Sequence, residues 1–425
     1  MFNKIKTIFT DKSIRRRILF VIGMLVVFRA LASIPVPGVN VDAIKALVDG
    51  NSFFQVLNLF SGGGLSALSI LMLGAGPYIT ASIVIQLLTM VFPRMKEMQQ
   101  EEGEIGRKRL SQYSRLLTIP VAFIQTFAIV TLITRQSPEV FAGLTTFGFV
   151  QISIIVVAAS ILLMWLGERL TEFGIGNGIS LIITIGIIAA LPQNLSRVLA
   201  TYDPSQLLTF IAIAILAVVI IALIVYITEA ERPIEINYAR QARSLSTQGA
   251  SGSHKTYVPI KLNQAGVMPI IFAITLLMFP TFLGTLLSTS GNAFISNAGR
   301  MLSIWSQNPL IHGIAYFILV FLFTYFYTAV TFDPKQMSEN LQKSGAFVSG
   351  IRPGDSTMDY LSRIVTRTTF IGALFLAIIA VLPSVVQSFT NIASVTIGGT
   401  GILIVISTLT DIVKKVNAQL SMREY

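Results

Sequence analysis

"SGGGLSALSILMLGAGPYITASIVIQLLTMVF", residues 61–92, carries no charged side chain. Drawn as one helix at about 1.5 Å per residue it would be roughly 48 Å long, against a bilayer hydrocarbon core of about 30 Å. Gly74, Gly76 and Pro77 break it in the middle. Two readings fit such a stretch. One is a short re-entrant piece followed by a true span. Irregular backbone is tolerated at membrane depth only when it is buried in protein or lines a cavity, so this reading brings a cavity with it. The other is an interfacial helix capping an ordinary bundle.

Outward from that stretch, the whole chain is apolar. Of 425 residues, 53% are hydrophobic and 12% charged, with a mean hydropathy of +0.74; an ordinary soluble domain carries about 25% charged residues. Uncharged runs recur from end to end, which predicts a polytopic membrane protein. Ten spans are expected, at 18–36, 75–93, 116–134, 148–167, 179–192, 207–227, 264–287, 311–331, 368–386 and 397–413. The first follows a basic N-terminus and has no small-residue cleavage site, so it is read as a retained span. With no cysteine in the chain, disulfides, thiolate metal sites and thiol catalysis are excluded.

The net charge of +11 is explained by topology. With the N-terminus inside, 26 of the 31 Lys and Arg residues fall inside, and only Lys45, Arg135, Arg197 and Arg300 fall outside; Arg29 lies within the first span. Asp and Glu divide sixteen to four, so the inside is strongly positive and the outside neutral. This is the positive-inside pattern of a membrane protein, not the footprint of a nucleic-acid partner.

Three inside loops are long: 93–115, 229–262 and 332–367. In the second, "RPIEINYA" and "TYVPIKL" alternate apolar and polar residues around the tip "SLSTQGASGS", which predicts paired strands projecting from the membrane. Ten spans divide into five and five, and an odd number puts the second half in inverted orientation, a plan common among transporters and channels. The fifth span is short for a bilayer and follows "EFGIGNG" (172–178), whose glycines suit a tight turn and close helix approach. The chain holds no G-x-x-x-x-G-K phosphate loop, two isolated histidines, and no carboxylate pair or nucleophile beside a base in its spans. The reading is therefore no enzyme, no cofactor and no metal. Pumps and ion-coupled carriers place acids or histidines at mid-membrane, and these spans are almost free of them. Arg29, near the outer end of its span, is expected to snorkel to the outer interface, with inter-helix hydrogen bonding second. What remains is an apolar pathway, suited to something larger and greasier than an ion or a sugar.

Several motifs carry a resemblance. Residues 61–89, "GIGNGISLII", "LNQAGVMPIIFA", "DPKQMSENLQKSGAFVSGIRPG" and "IGGTGILIVI" together resemble the SecY family of protein-conducting channels, in its order and spacing and over essentially the whole chain. The resemblance implies an all-α polytopic fold of ten transmembrane helices, in two pseudo-symmetric inverted halves around an hourglass pore. The halves would be 1–192 and 207–425, joined by an external hinge loop at 193–206. It implies a re-entrant plug half-helix within 61–74, made of Leu65, Ser66, Ala67, Leu68, Ser69, Ile70, Leu71, Met72 and Leu73. It implies a pore ring of Ile79, Ile83, Ile179, Ile183, Ile271 and Ile404, with Ile187 as the alternative to Ile179. Gln86, Thr89, Asn263 and Gln264 would sit beside a lateral gate.

On the inside, Arg240, Arg243 and Arg352 would form a docking surface for a SecA ATPase and the ribosome. Arginine suits both, because its guanidinium binds phosphate and carboxylate in bidentate fashion. The implied function is passage of unfolded secretory chains across a bacterial plasma membrane and lateral release of hydrophobic segments into lipid. Energy would come from a partner, and SecE-type and SecG-type small subunits are implied alongside. Both termini are expected in the cytoplasm.

Overall fold

The structure, a computed structural model, describes residues 11–50, 54–55, 57–58, 61–100, 102–141, 145–200, 207–238, 256–288, 292–390 and 393–421. It is mostly helical, and every expected span falls on a helix. α1 (Lys12–Ala32) opens on Asp11, whose carboxylate accepts the backbone N–H of Ser13 at 2.8 Å and so satisfies an orphan donor of the first turn. A short α2 (Val41–Gly50) follows, and beyond the opening stretch come α3 (Gly76–Val91), α4 (Pro93–Gln100), α5 (Gly103–Gln136) and α6 (Thr146–Phe173). Then come α7 (Gly178–Ala200), α8 (Leu207–Glu229), α9 (Met268–Ser288), α10 (Ala293–Gln307) and α11 (Pro309–Thr331). The chain finishes with α12 (Pro334–Lys343), α13 (Asp355–Thr390) and α14 (Ala393–Ser421).

Gly103–Gln136, Thr146–Phe173, Leu310–Lys343 and Asp355–Val386 are each long and apolar enough to cross a membrane. Gly76–Val91 and Pro93–Gln99 form a broken fifth candidate, bent by 108°. The bend falls where apolar "GPYITASIVIQLLTMV" gives way to polar "PRMKEMQQ", and Pro93 at the junction cannot donate to the preceding turn. α4 then folds back on α5 so closely that a Cβ on Gly106 would collide with the carbonyl of Met98.

The apolar part of the fifth span, Gly178–Pro192, is short, as expected, but the helix does not stop with it: α7 runs through Pro192 to Ala200, 23 residues in all. Residues 193–200 of the expected hinge loop are therefore helical, and 201–206 lie outside the described residues. A proline inside a helix removes one hydrogen bond, but "QNLSRVLA" beyond it has no glycine or second proline to stop the helix. Pro120, Pro280 and Pro383 are likewise carried inside helices.

Two compact units emerge. The first comprises Met1–Ile211, Ile274–His312 and Pro383–Tyr425; the second comprises Ala212–Ala273 and Gly313–Leu382. In the first, α2, α5, α6 and a 3-10 turn at Pro138–Phe141 enclose a core that includes Ile44, Val48, Ile133, Val140 and Val156. The α6–α7 corner depends on glycine. Gly176 takes φ +93°, and the Asn177 side chain caps α7 by accepting the N–H of Ile179 at 3.0 Å. A Cβ on Gly178 would strike the carbonyl of Gly167.

The second unit contains the expected strand pair. β1 (Glu231–Tyr238) and β2 (Thr256–Lys261) run antiparallel, from Glu231 opposite Lys261 to Ile236 opposite Thr256; the tip, 239–255, is outside the described residues. A third strand, β3 (Ala346–Val348), comes from the other long loop and pairs antiparallel with β1, Ile236 opposite Val348 and Tyr238 opposite Ala346. Strand alternation turns Ile234 and Ile236 inward, and Ile234 joins Ile260 and Val348 on Leu361, Ile364 and Val365 of α13.

Candidate channel site

Residues 61–75 do not form a half-helix. They are a succession of turns, and the backbone shows why. Gly62, Gly63 and Gly74 take φ of +67°, +86° and +56°, and Leu68 is held at +38°, a left-handed conformation incompatible with a right-handed helix and costly for a residue with a Cβ. Gly64 has no room for a side chain: a Cβ there would lie 2.8 Å from Ser69 Oγ and 2.9 Å from the carbonyl of Leu71.

The segment is tied down by main-chain bonds. The N–H of Val36 donates to Leu68 O at 2.8 Å and the N–H of Ile70 to Ile34 O at 3.0 Å, an antiparallel bridge centred on Pro35 and Ser69. The N–H of Ser66 donates to Asn58 Oδ1 at 2.8 Å. Arg29 Nη1 donates to the carbonyl of Gly62 at 3.0 Å. Arg29 is exposed, in keeping with snorkelling, and its one bond here goes to this non-helical segment and not to a neighbouring helix. Leu65, Leu68, Ser69, Leu71, Met72 and Leu73 are buried, and Ser66, Ala67 and Ile70 half-buried. Leu65, Leu68, Met72 and Leu73 belong to the core of the first unit. An interfacial helix is ruled out, since the segment is neither helical nor at the surface.

All six expected pore-ring isoleucines are buried: Ile79, Ile83, Ile179, Ile183 and Ile404 in the first unit, Ile271 in the second. Local packing separates Ile179 from the others. Its side chain fills the notch over Gly167 of α6, with Cγ1 2.9 Å from the position a Cβ would take there. Two turns further along the same face, Gly186 of α7 approaches Gly62, its Cα 3.1 Å from a Cβ placed on Gly62. Ile183 and Ile187, both buried, flank that contact.

Of the expected gate residues, Gln86 is half-buried and its Oε1 has no hydrogen-bond partner among the described residues. Thr89 is buried and donates to the carbonyl of Gln86 in its own helix at 2.6 Å. Asn263 is buried and spends its amide locally, donating to Gly266 O at 3.2 Å and accepting the Gly266 N–H at 2.9 Å. Gly266 stands at φ +62°, so Asn263 shapes the turn into α9. Gln264 beside it is half-buried.

Arg240 and Arg243 lie outside the described residues. Arg352 is exposed on a turn bent through Gly350 at φ +79° and Gly354 at +99°. The Arg352 carbonyl accepts Thr357 Oγ1 at 2.8 Å and the Gly354 carbonyl accepts Ser338 Oγ at 2.7 Å. A cation on so well-fixed a loop meets a partner with little conformational entropy to lose.

Sequence reasoning missed the roles of Asn58, Gly62 and Gly64. The signal was present in the run of three glycines after Ser61, each costing about 1 kcal/mol in a helix relative to alanine. It also missed the bond from Gln125 Nε2 to Thr80 Oγ1 at 3.3 Å, which joins α5 to the first turn of α3.

Comparison with known proteins places this geometry. A family model described as SecY matches residues 69–413. The chain is 38% identical over 434 aligned residues to the protein translocase subunit SecY of Thermotoga maritima, covering all of this chain and 97% of the relative. It is 38% identical to that of Aquifex aeolicus, covering all of this chain and 99% of the relative. Among solved structures, "The structure of a protein conducting channel" superposes with a TM-score of 0.66 at 21% identity, over 94% of this chain and 91% of that one. "Sec61 in the Canine ribosome-channel complex from the endoplasmic reticulum" superposes with a TM-score of 0.63 at 20% identity and the same coverages.

Proposed function

The chain belongs to the SecY family, and from that premise we propose how its residues divide the work of a protein-conducting channel. It is a multi-pass membrane protein and the channel subunit of a protein translocase. The observation that carries the finer reading is the buried, turn-rich segment 61–75, held inside the first unit by bonds from Arg29, 34–36 and Asn58. Irregular backbone at that depth must be enclosed by protein or face a cavity, and a plug closing a pore meets that requirement.

In this reading Ile79, Ile83, Ile183, Ile271 and Ile404 narrow the pore. The packing of Ile179 into the notch over Gly167 of α6 supports Ile187 as the second α7 member in its place. A ring of aliphatic side chains dewets and blocks ions, yet it deforms around a passing peptide and offers no specific grip. Gln86, with its unpaired amide oxygen, is the gate residue the geometry favours. Polar contacts between membrane helices contribute only about 0.6–2 kcal/mol, which suits a seam that must yield to a signal sequence.

The two inverted halves, 1–192 and 207–425, would open about the segment around 193–206, clasped by SecE-type and SecG-type subunits. The channel is passive and not an enzyme; a SecA ATPase or the ribosome drives the chain through. Reconstitution with a SecE-type subunit and SecA, followed by protease challenge of a secretory precursor, tests this. ATP-dependent protection is expected, and its absence in an assembled complex would overturn the reading.

Two further outcomes are expected. Arg352→Glu should lower SecA-driven transport about tenfold or more, the equivalent of losing roughly 1.4 kcal/mol of docking, without changing the amount of assembled protein. Unimpaired ATP-dependent transport would remove Arg352 from the docking surface. Second, the chain sits in a bacterial plasma membrane with both termini inside. Single cysteines at Lys45 and Arg300 should then react with an impermeant reagent added to intact cells, and those at Arg109 and Gly345 should not. Reversal at two of the four sites would break the span assignment.

A further inference from the structure

The structure assigns a second membrane contact that is not a crossing. We propose that α10 lies in the outer lipid–water boundary and seats its exposed face in glycerophospholipid, mooring the outer ends of α9 and α11. This rests on the topology given above, which puts the 289–308 segment outside.

The faces of α10 are arranged the wrong way round for water. Its small, polar side packs inward: a Cβ on Gly299 would collide with the backbone of Ser288 and lie 2.8 Å from Gly284 O. Ser296 Oγ donates to the carbonyl of Ser288 at 2.9 Å. Its large apolar side chains point out, on a face that also carries exposed Asn297 and is bordered by Arg300. Phe294, Met301 and Ile304 are 82%, 77% and 71% exposed, and spacings of seven and three residues put them on one helical face. A helix with a mostly apolar exposed face, a polar and charged border and a capped, ordered start (the N–H of Phe294 donates to Asn292 Oδ1 at 3.1 Å) has the form of helices that lie in the plane of a membrane.

Lipid, rather than a protein partner, is the occupant the connections favour. Four residues link α10 to α9 and Asn308 alone links it to α11, so it cannot leave the level at which two spans end. On the α9 side the approach is already greasy, with Leu276, Phe279 and Leu287 exposed. Arg300 is the single charge in α10. The attraction is therefore for acyl chains and not for anionic headgroups, which predicts indifference to lipid charge.

The absence of cysteine makes the test clean. Spin labels are placed on single cysteines at Phe294, Met301, Ile304 and Arg300, and at Ile215 of α8 as a bilayer reference. The full chain is reconstituted with its small subunits in phosphatidylcholine vesicles, with and without phosphatidylglycerol. At 294, 301 and 304 the ratio of oxygen to nickel-chelate collisions should shift to the side of Ile215. Arg300 should stay on the aqueous side, and phosphatidylglycerol should change neither. Free nickel access at 301 and 304, with Ile215 protected, would overturn the proposal, as would exclusion of both reagents, the mark of a protein covering the face. If Ile215 itself reads aqueous, the span assignment fails and takes the proposal with it.

Discussion

Asparagine at Ile83, Ile183 and Ile404 together with Arg29→Ala is expected to turn an electrically silent channel into one with discrete openings in planar bilayers. The three isoleucines are 7%, 1% and 0% exposed. An amide buried there without partners costs about 1–3 kcal/mol, a penalty relieved when water enters beside it. Three such groups at one narrowing remove the apolar surface that keeps it dry. Arg29→Ala is included because segment 61–75 would mask the leak, and Arg29 Nη1 is one of the bonds that hold it. Deleting 65–73 is the poorer choice, since Leu65, Leu68, Met72 and Leu73 fill the core of the first unit and truncating such side chains costs about 2–5 kcal/mol each. Arg29→Ala alone should stay quiet, and the triple change alone should leak less than the combination. A silent record from the combined variant, with normal elution as an assembled complex, would remove these residues from the pore.

Gly178→Val should be the most damaging single change in the α6–α7 corner. Its Cβ would meet the Gly167 carbonyl oxygen and sit 2.5 Å from Leu170 Cβ and 2.8 Å from Thr171 N. These obstacles are backbone atoms and a Cβ, which cannot rotate away. The helices must part, and overpacking costs about 1–3 kcal/mol and occasionally more; the top of that range is expected here. α7 also carries Gly186 and Ile183, so the loss should reach the contact with Gly62. Gly23→Val is the control, because nothing lies within 4 Å of a Cβ at Gly23. Thermal melting of the purified complex reads both, and equal melting temperatures would show that the corner relaxes.

Features that depend on local composition could be read before any coordinates. Apolar runs found the spans, because a helix in lipid needs only its own backbone bonds and greasy side chains. Alternation found β1 and β2, whose partners lie close in sequence. Features that depend on distant partners could not be read. β3 is three residues long and is a strand only because β1 offers it an edge. The turn structure of 61–75 is decided by the carbonyls of Ile34 and Gly64 and by the left-handed glycines, none of which hydrophobicity reports. Asn263 stood out as a polar residue beside a seam, but Gly266 at positive φ had already claimed its amide. The bond from Arg29 to Gly62 was not among the expectations, since charge and depth alone could not find a carbonyl 33 residues away.

The sheet of the second unit sets an order of events during synthesis. Its central strand ends at Tyr238, while the partner strand begins at Ala346, 108 residues later. Between them the ribosome must make α9, α10 and α11 and deliver them to the bilayer. At about 5–20 residues per second the edge of β1 at Ile236–Tyr238 waits roughly 5–20 s for its neighbour. A chain that inserts only one of the two spans α9 and α11 cannot bring β3 back to the side of the membrane where β1 waits. Closure of this small sheet therefore excludes an odd number of crossings between its strands, and a strand edge left open would mark a chain in which one of the two spans is missing.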